Sequence, residues 1–366
     1  MSVDFVKLKR TYDLYASEYE QAVLRTMKSG WYILGTELDD FENKYAEYMG
    51  SKYCIGVNSG LDALILAVRA LGIGSGDEVI VPANTYIASV LSITENGATP
   101  VFVEPDEYFC LDADKIEAAI TERTKAILPV HLYGQACEMR KICAIAEKYN
   151  LYVIEDCAQS HDATINGQKT GTFGTIGCFS FYPTKPMGAL GDAGALLTDD
   201  EKIAKKLKAL RNYGSAKKYI NDIAGVNSRM DEVQAAILKV SMKHLEEGNE
   251  YRNRIAKKYR KGIHNPFVKL PECRKESYHV YHVFALLCEK RDALQKHLLN
   301  LGVKTLIHYP IPPHLQQCYG YLNHMNGEFP ISETYALQEL SLPIYVGMPE
   351  EDIDLVIEAV NSFEGE

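Results

Sequence analysis

Positive charge is scarce in this chain of 366 residues, where 39 Lys and Arg stand against 49 Asp and Glu for a formal charge of −10. That balance argues against a nucleic-acid partner, whose phosphates call for surplus cations. A nucleotide-sized ligand needs only a few local cations and backbone amides and stays open. Cysteine pairs are lacking too. The nine cysteines are odd in number and scattered from Cys54 to Cys318 without a C-x-x-C, which reads as the reduced thiols of a cytosolic protein. No apolar run approaches the ~20 residues of a membrane span. The start, Met1 to Lys7, has no apolar signal core, so a cytoplasmic location with no membrane contact is expected. No internal repeat or low-complexity segment is present. The absence of G-x-x-x-x-G-K-[ST] removes a phosphate-loop hydrolase. Gly72, Gly74 and Gly76 follow a helix with the wrong spacing for a dinucleotide fingerprint, which removes the oxidoreductase reading.

What is present is ordinary globular composition, 46% apolar and 24% charged, in a chain long enough for one large domain and a smaller one. From residue 53 onward short apolar runs alternate with helical patterns: Tyr53–Val57, Glu78–Val81, Pro100–Val103, Ala126–His131 and Leu151–Ile154. This is the pattern of βαβ units around a mostly parallel sheet. Between the first two runs Leu61, Leu64, Ile65, Val68 and Leu71 fall on one helical face. The stretch from Asp231 to Glu247 reads as a long helix leading into the basic, polar segment Tyr251 to Lys261, which marks a change of domain. The expected division is a large domain over 1–248 and a small α+β domain over 249–366. In the latter, Tyr278 to Leu287 alternates like an antiparallel strand and Asp292 to Leu301 reads as a helix.

Open α/β sheets bind ligands at the C-terminal edges of their strands, and four such edges carry chemistry. Val57-Asn58-Ser59-Gly60-Leu61 joins a strand to a helix through a glycine turn, leaving backbone N–H groups and a positive helix end for a phosphate, or simply a Ser cap. The apolar strand Leu151 to Ile154 delivers Glu155 and Asp156, a carboxylate for a protonated ring nitrogen or a plain surface acid. After the strand ending near Ser180, Lys185 lies among Pro183, Pro186 and Gly188 and is followed by a glycine-rich turn, which favours a buried amine of depressed pKa over a solvated lysine. Tyr86, just past Pro82, offers a ring for stacking on a flat cofactor, although most of the 24 tyrosines will be core or surface. Together these are the needs of pyridoxal phosphate: a phosphate cradle, an anionic partner that maintains the electron sink, an aromatic platform and a lysine amine.

These residues resemble the fold type I sugar aminotransferases of the DegT/DnrJ type. The resemblance runs over essentially the whole chain, through Ser29 to Gly35, Gly56 to Gly60, Gly76 to Pro82, Glu155 to Ser160, Ser180 to Lys185, Asn212 to Ser215 and Asn227 to Glu232. It implies an α/β fold, with a large domain whose mostly parallel central sheet is flanked by helices, plus a smaller C-terminal α+β domain. It implies pyridoxal 5'-phosphate held covalently by Lys185, with Asp156 on the pyridine nitrogen, Gly60 and Leu61 amides on the phosphate, Tyr86 stacked on the ring, and Gln159 and Ser180 on its oxygens. It also implies that Asn227 reaches the phosphate of the neighbouring subunit's cofactor, and hence a homodimer with shared active sites.

The chain departs from the family pattern at Leu61, where many relatives have Thr, at Asp162, where Gly is usual, and at Pro186, where Asn is commoner. Ser59 to Leu64 resembles the subgroup acting at C3 of dTDP-linked 6-deoxy keto-hexoses, whereas C4 enzymes more often carry Ser-Gly-Thr at this turn. Ile307 to Pro310 resembles a substrate loop of that subgroup. His308, Tyr309 and Tyr182 are therefore the expected substrate contacts, with a nucleotide-linked keto-sugar and L-glutamate as the two substrates. No metal is expected, since His279 and His282 fall in a strand pattern without clustered acidic or Cys partners.

Overall fold

The computed structural model describes residues 2–217 and 219–365. The N-terminal half runs α1 (Leu8–Ser29), α2 (Thr36–Met49), β1 (Tyr53–Val57), α3 (Gly60–Ala70), β2 (Glu78–Pro82), α4 (Ile87–Thr94), β3 (Thr99–Val103), α5 (Ala113–Ile116), β4 (Thr124–Ile127), α6 (Met139–Tyr149) and β5 (Tyr152–Asp156). After the short β6 (Thr164–Ile165) and β7 (Gln168–Lys169) come β8 (Ile176–Ser180), β9 (Gly194–Thr198), α7 (Glu201–Leu210), β10 (Ser215–Lys217), β11 (Ile220–Asn221), α8 (Glu232–Lys243) and α9 (Leu245–Gly262). The chain closes with β12 (Val268–Lys269), β13 (Ser277–Tyr278), β14 (Phe284–Cys288), α10 (Arg291–Asn300), α11 (Pro330–Gln338), β15 (Glu339–Leu342) and α12 (Glu350–Asn361). Among the described residues no helix is long and apolar enough to cross a membrane.

Seven strands form the central sheet in the order β1-β9-β8-β5-β4-β2-β3. The pairs from β8 through β3 are parallel, and β9 runs antiparallel to both β8 and β1. Strands buried on both faces read as continuous apolar runs, and Glu78 to Pro82 is buried at every position. Helix α3 packs on this sheet, but its buried arc is wider than the expected face. Ala63, Leu64, Leu66, Ala67 and Val68 are all within 2% of full burial, while Leu61, Ile65 and Leu71 are only half-buried. The arc widens because α3 touches α4 and α7 as well as β8 and β9. Each buried Leu there contributes about 1.5–3 kcal/mol.

A second core gathers around a three-stranded antiparallel sheet, β12-β14-β15, with α9, α10 and α12. Val3 belongs to this core and bridges to Val303, so the first residues pack with the last third of the chain. The strand expected over Tyr278 to Leu287 is two strands. Ser277 and Tyr278 pair with β6, Phe284 onward pairs with β15, and the chain crosses between the sheets at 279–283. Burial does not alternate through the crossing, where His279, Val280, Tyr281 and Val283 are all buried and the N–H groups of Val280 and Val283 bond the carbonyls of Gly134 and Tyr133 at 3.0 and 3.4 Å. The run expected to reach His131 leaves the regular ladder after Ile127, for Pro129 has no N–H to give. Leu128 and His131 still bond Ile80 and Asp156 across the gap, at 2.7 and 3.0 Å.

Candidate active site

The ends of β1, β2, β5 and β8 converge. At the first, Ser59 Oγ accepts the Asp62 N–H at 3.1 Å, capping α3. The Gly60 and Leu61 N–H groups have no partner among the described residues, so the cap and the anion cradle are both available from one turn. The turn sits against β8 and β9. A Cβ on Gly60 would lie 2.4 Å from the Ser180 Cβ, and one on Gly194 would lie 2.3 Å from the Ser59 carbonyl. Glycine is required at both close approaches.

Asp156 ends β5, buried, with Oδ2 accepting from Ser89 Oγ at 2.8 Å and Oδ1 accepting the Ala158 N–H at 3.1 Å. Burial raises its pKa, with Ser89, Ala158 and the charge of Lys185 acting against the shift. Glu155 beside it points to the opposite face, as a strand's period of two demands. There it accepts the N–H groups of Gly171, Phe173 and Gly174 at 2.7–2.8 Å. The Cys137 N–H donates to His131 Nδ1 at 3.0 Å, so His131 Nε2 carries the ring proton and donates it to Glu155 at 3.0 Å. His131, Glu155 and Cys157 are close enough to hold a metal ion, but these bonds already occupy both carboxylate oxygens and both ring nitrogens. The cluster fixes backbone. His279 is likewise occupied, its Nδ1 accepting the Tyr281 N–H at 2.9 Å.

Lys185 lies in the turn after β8, its N–H donated to the Tyr182 carbonyl at 2.8 Å, with the turn closed by Ala189 N–H to Phe181 O at 2.8 Å. The side chain is half-buried and makes no hydrogen bond or ion pair among the described residues. Burial pulls its pKa down to about 8 against the opposing pull of Asp156. Roughly one tenth of such an amine is neutral at pH 7, against roughly one in three thousand at an ordinary lysine pKa.

A second arc faces this one. Tyr86 precedes α4 with its ring 52% exposed and 5.0 Å from that of Tyr309. Gln159 Oε1 accepts the Tyr133 N–H at 2.6 Å while its Nε2 donates to the Tyr309 hydroxyl at 3.2 Å. The Tyr133 hydroxyl donates to the His308 carbonyl. The His308 N–H donates to Glu339 at 2.6 Å, and its Nδ1 meets Ser341 Oγ at 2.7 Å. Burial pushes Glu339 up to about 8 and His308 down to about 4, the latter aided by the charge of Lys185. Tyr182 rides on the Lys185 turn, half exposed. Asn227 stands apart, exposed and without a side-chain bond among the described residues, although its neighbour Ser228 ties Asn58 to Asp62. Sequence reasoning missed Ser89, Tyr133, Glu339 and Ser341. None lies in a strand-edge motif, and only the packing brings them to the site.

Pyridoxal phosphate, implied by the sequence resemblance, fits these residues. There is a partnerless amine, a buried carboxylate for the ring nitrogen, a helix start with free amides beside a glycine that admits close approach, and an exposed ring to stack on.

A profile of the DegT/DnrJ/EryC1/StrS aminotransferase family matches residues 14–361. The dTDP-3-amino-3,6-dideoxy-alpha-D-galactopyranose transaminase of Aneurinibacillus thermoaerophilus is 52% identical over 362 residues, 99% of each chain. Among solved structures, DesV of Streptomyces venezuelae in complex with a ketimine intermediate superposes with a TM-score of 0.96 at 44% identity over 98% of both chains. The ntda protein of Bacillus subtilis with bound cofactor PMP gives 0.91 at 34% identity, over 98% of this chain and 84% of that one.

Proposed function

The chain belongs to the DegT/DnrJ/EryC1/StrS aminotransferase family, and we propose that it moves an amino group from L-glutamate to C3 of a dTDP-linked 3-keto-6-deoxyhexose. The products are a dTDP-3-amino-3,6-dideoxyhexose and 2-oxoglutarate, and the cofactor is pyridoxal 5'-phosphate. One observation carries the chemistry: a partnerless amine of lowered pKa, Lys185, within the field of a buried carboxylate, Asp156. The choice of C3 and of dTDP is supported by the similarity to the Aneurinibacillus transaminase.

Lys185 would hold the cofactor covalently. Asp156, oriented by Ser89 and Ala158, would pair with the pyridine nitrogen, the Gly60 and Leu61 amides would take the phosphate, Tyr86 would stack on the ring, and Gln159 and Ser180 would bond its oxygens. When bound, the protonated pyridine supplies an electron sink for the charge developing at the substrate carbon. With the donor bound, the free Lys185 Nζ would take the proton from the donor's α-carbon and hold it for the following protonation. With the keto-sugar bound, Lys185 delivers a proton to C3. Tyr182, His308 and Tyr309 bind the sugar nucleotide, with Ser341 holding the His308 ring and Glu339 its backbone N–H. The chain divides into a cofactor domain, 1–248, whose first residues pack into the other core, and a small domain, 249–366, the two acting as one subunit of a homodimer in which Asn227 reaches the partner's cofactor phosphate.

Incubation with nitrogen-15-labelled glutamate and dTDP-linked keto-hexoses, followed by NMR of the product, tests the reading. The label is expected on C3. Nitrogen on C4 would overturn the regiochemistry and leave the transaminase in place.

A further inference from the structure

Behind Lys185 a cavity of about 240 Å³ lies between α1, the 183–190 turn, α8, α9 and Tyr345. No acidic side chain lines it, yet Arg252 does. Arg252 is 7% exposed. Its one side-chain bond among the described residues is a 3.5 Å contact with the Gly248 carbonyl one turn earlier in α9, and it has no carboxylate partner. Burial pulls its pKa down to about 10. Tyr345 lines the same cavity, 3% exposed, but its enclosed hydroxyl makes no bond among the described residues and lies within reach of the charges of Asp352, Arg10 and Asp4 rather than that of Arg252. His161 and His282 lie within electrostatic reach of both Lys185 and Arg252, and burial holds both neutral, at about 3 and well below the usual value respectively. Two desolvated cations, Lys185 and Arg252, therefore line a cavity without an acidic side chain. A buried cation left unpaired is destabilising by several kcal/mol, an arrangement that makes sense once an anion is counted.

Resting on the proposed transamination, we infer that Arg252 forms a carboxylate subsite that anchors the amino donor with its α-carbon within reach of Lys185 Nζ. The guanidinium fork matches a carboxylate with two parallel N–H bonds. A cavity of about 240 Å³ admits an amino acid, and a donor carboxylate needs only the one guanidinium fork, so the subsite is assigned to the donor half of the reaction.

The two half-reactions of the holoenzyme separate this role from a structural one. Arg252→Met should raise the glutamate concentration for half-maximal spectral conversion of the cofactor by roughly 30-fold or more, the loss of one charged hydrogen-bonded pair. The sugar half-reaction, started from protein reconstituted with pyridoxamine phosphate, should change less than about twofold. Calorimetric titration with glutarate, a dicarboxylate without an amine, should show the same loss of binding. Arg252→Lys, gentler on folding, should weaken glutarate by roughly 5- to 10-fold. Unchanged glutarate binding in these variants, or equal damage to both half-reactions, overturns the subsite. A wild-type protein that binds glutarate but is not converted by glutamate would contradict the donor identity instead, and the glutarate titrations would still decide Arg252.

Discussion

Two neighbouring carboxylates, Glu155 and Asp156, show how a single residue step divides structural from chemical roles. Glu155 is saturated by three backbone N–H groups and His131, while Asp156 keeps only Ser89 and Ala158 and faces the amine side. Asp156→Asn preserves volume, and its amide can still accept from Ala158 and donate to Ser89. Turnover should fall roughly 10²-fold or more, since an amide cannot keep the pyridine nitrogen protonated, while the melting temperature should move by less than about 4 °C. Near-normal kcat in a folded variant would remove Asp156 from the role. Both Asp156 and Lys185 were legible in the sequence because each follows an apolar strand within a short motif. Arg252 was not. It sits in a basic, polar stretch that reads as solvated, and its burial comes from contacts between α9 and segments distant in the chain, including Asn249 bonded to the His161 carbonyl at 3.0 Å.

At the scale of elements, the strands of the central sheet were legible because burial on both faces leaves continuous apolar runs with glycine or polar residues at the ends. Where the expectation failed, a long-range partner had replaced the local pattern. The helix from Asp231 breaks at His244, where φ is −106° and ψ 7°, although no Gly or Pro stands there. The break is set from outside the helix, by Tyr15 stacked on the His244 ring at 3.7 Å and Glu18 bonded to its Nε2 at 2.9 Å. The residues after that break bring Arg252 to the cavity behind Lys185. Likewise Glu232, read as part of a family motif, caps α2 by accepting the N–H groups of Gly35, Glu37 and Leu38 at 2.8, 2.8 and 3.2 Å, a carboxylate at the positive end of a helix. Such a tie across nearly two hundred residues has no local signature.

At the scale of the whole molecule, the proposed sharing of active sites rests on two chains. Met27, Trp31 and Tyr32 are 56–63% exposed, and the Asn227 side chain makes no bond among the described residues. Mixing Lys185→Ala chains with Asn227→Asp chains, whose added charge repels a phosphate, should restore up to about a quarter of the activity through hybrid dimers that each contain one intact site. No recovery after verified exchange would place each active site within one chain. The most direct test of the central claim is borohydride reduction of the cofactor-loaded protein followed by peptide mapping. The account predicts a pyridoxyl group on the peptide carrying Lys185. A pyridoxyl group on any other lysine, with Lys185 unmodified, would contradict it.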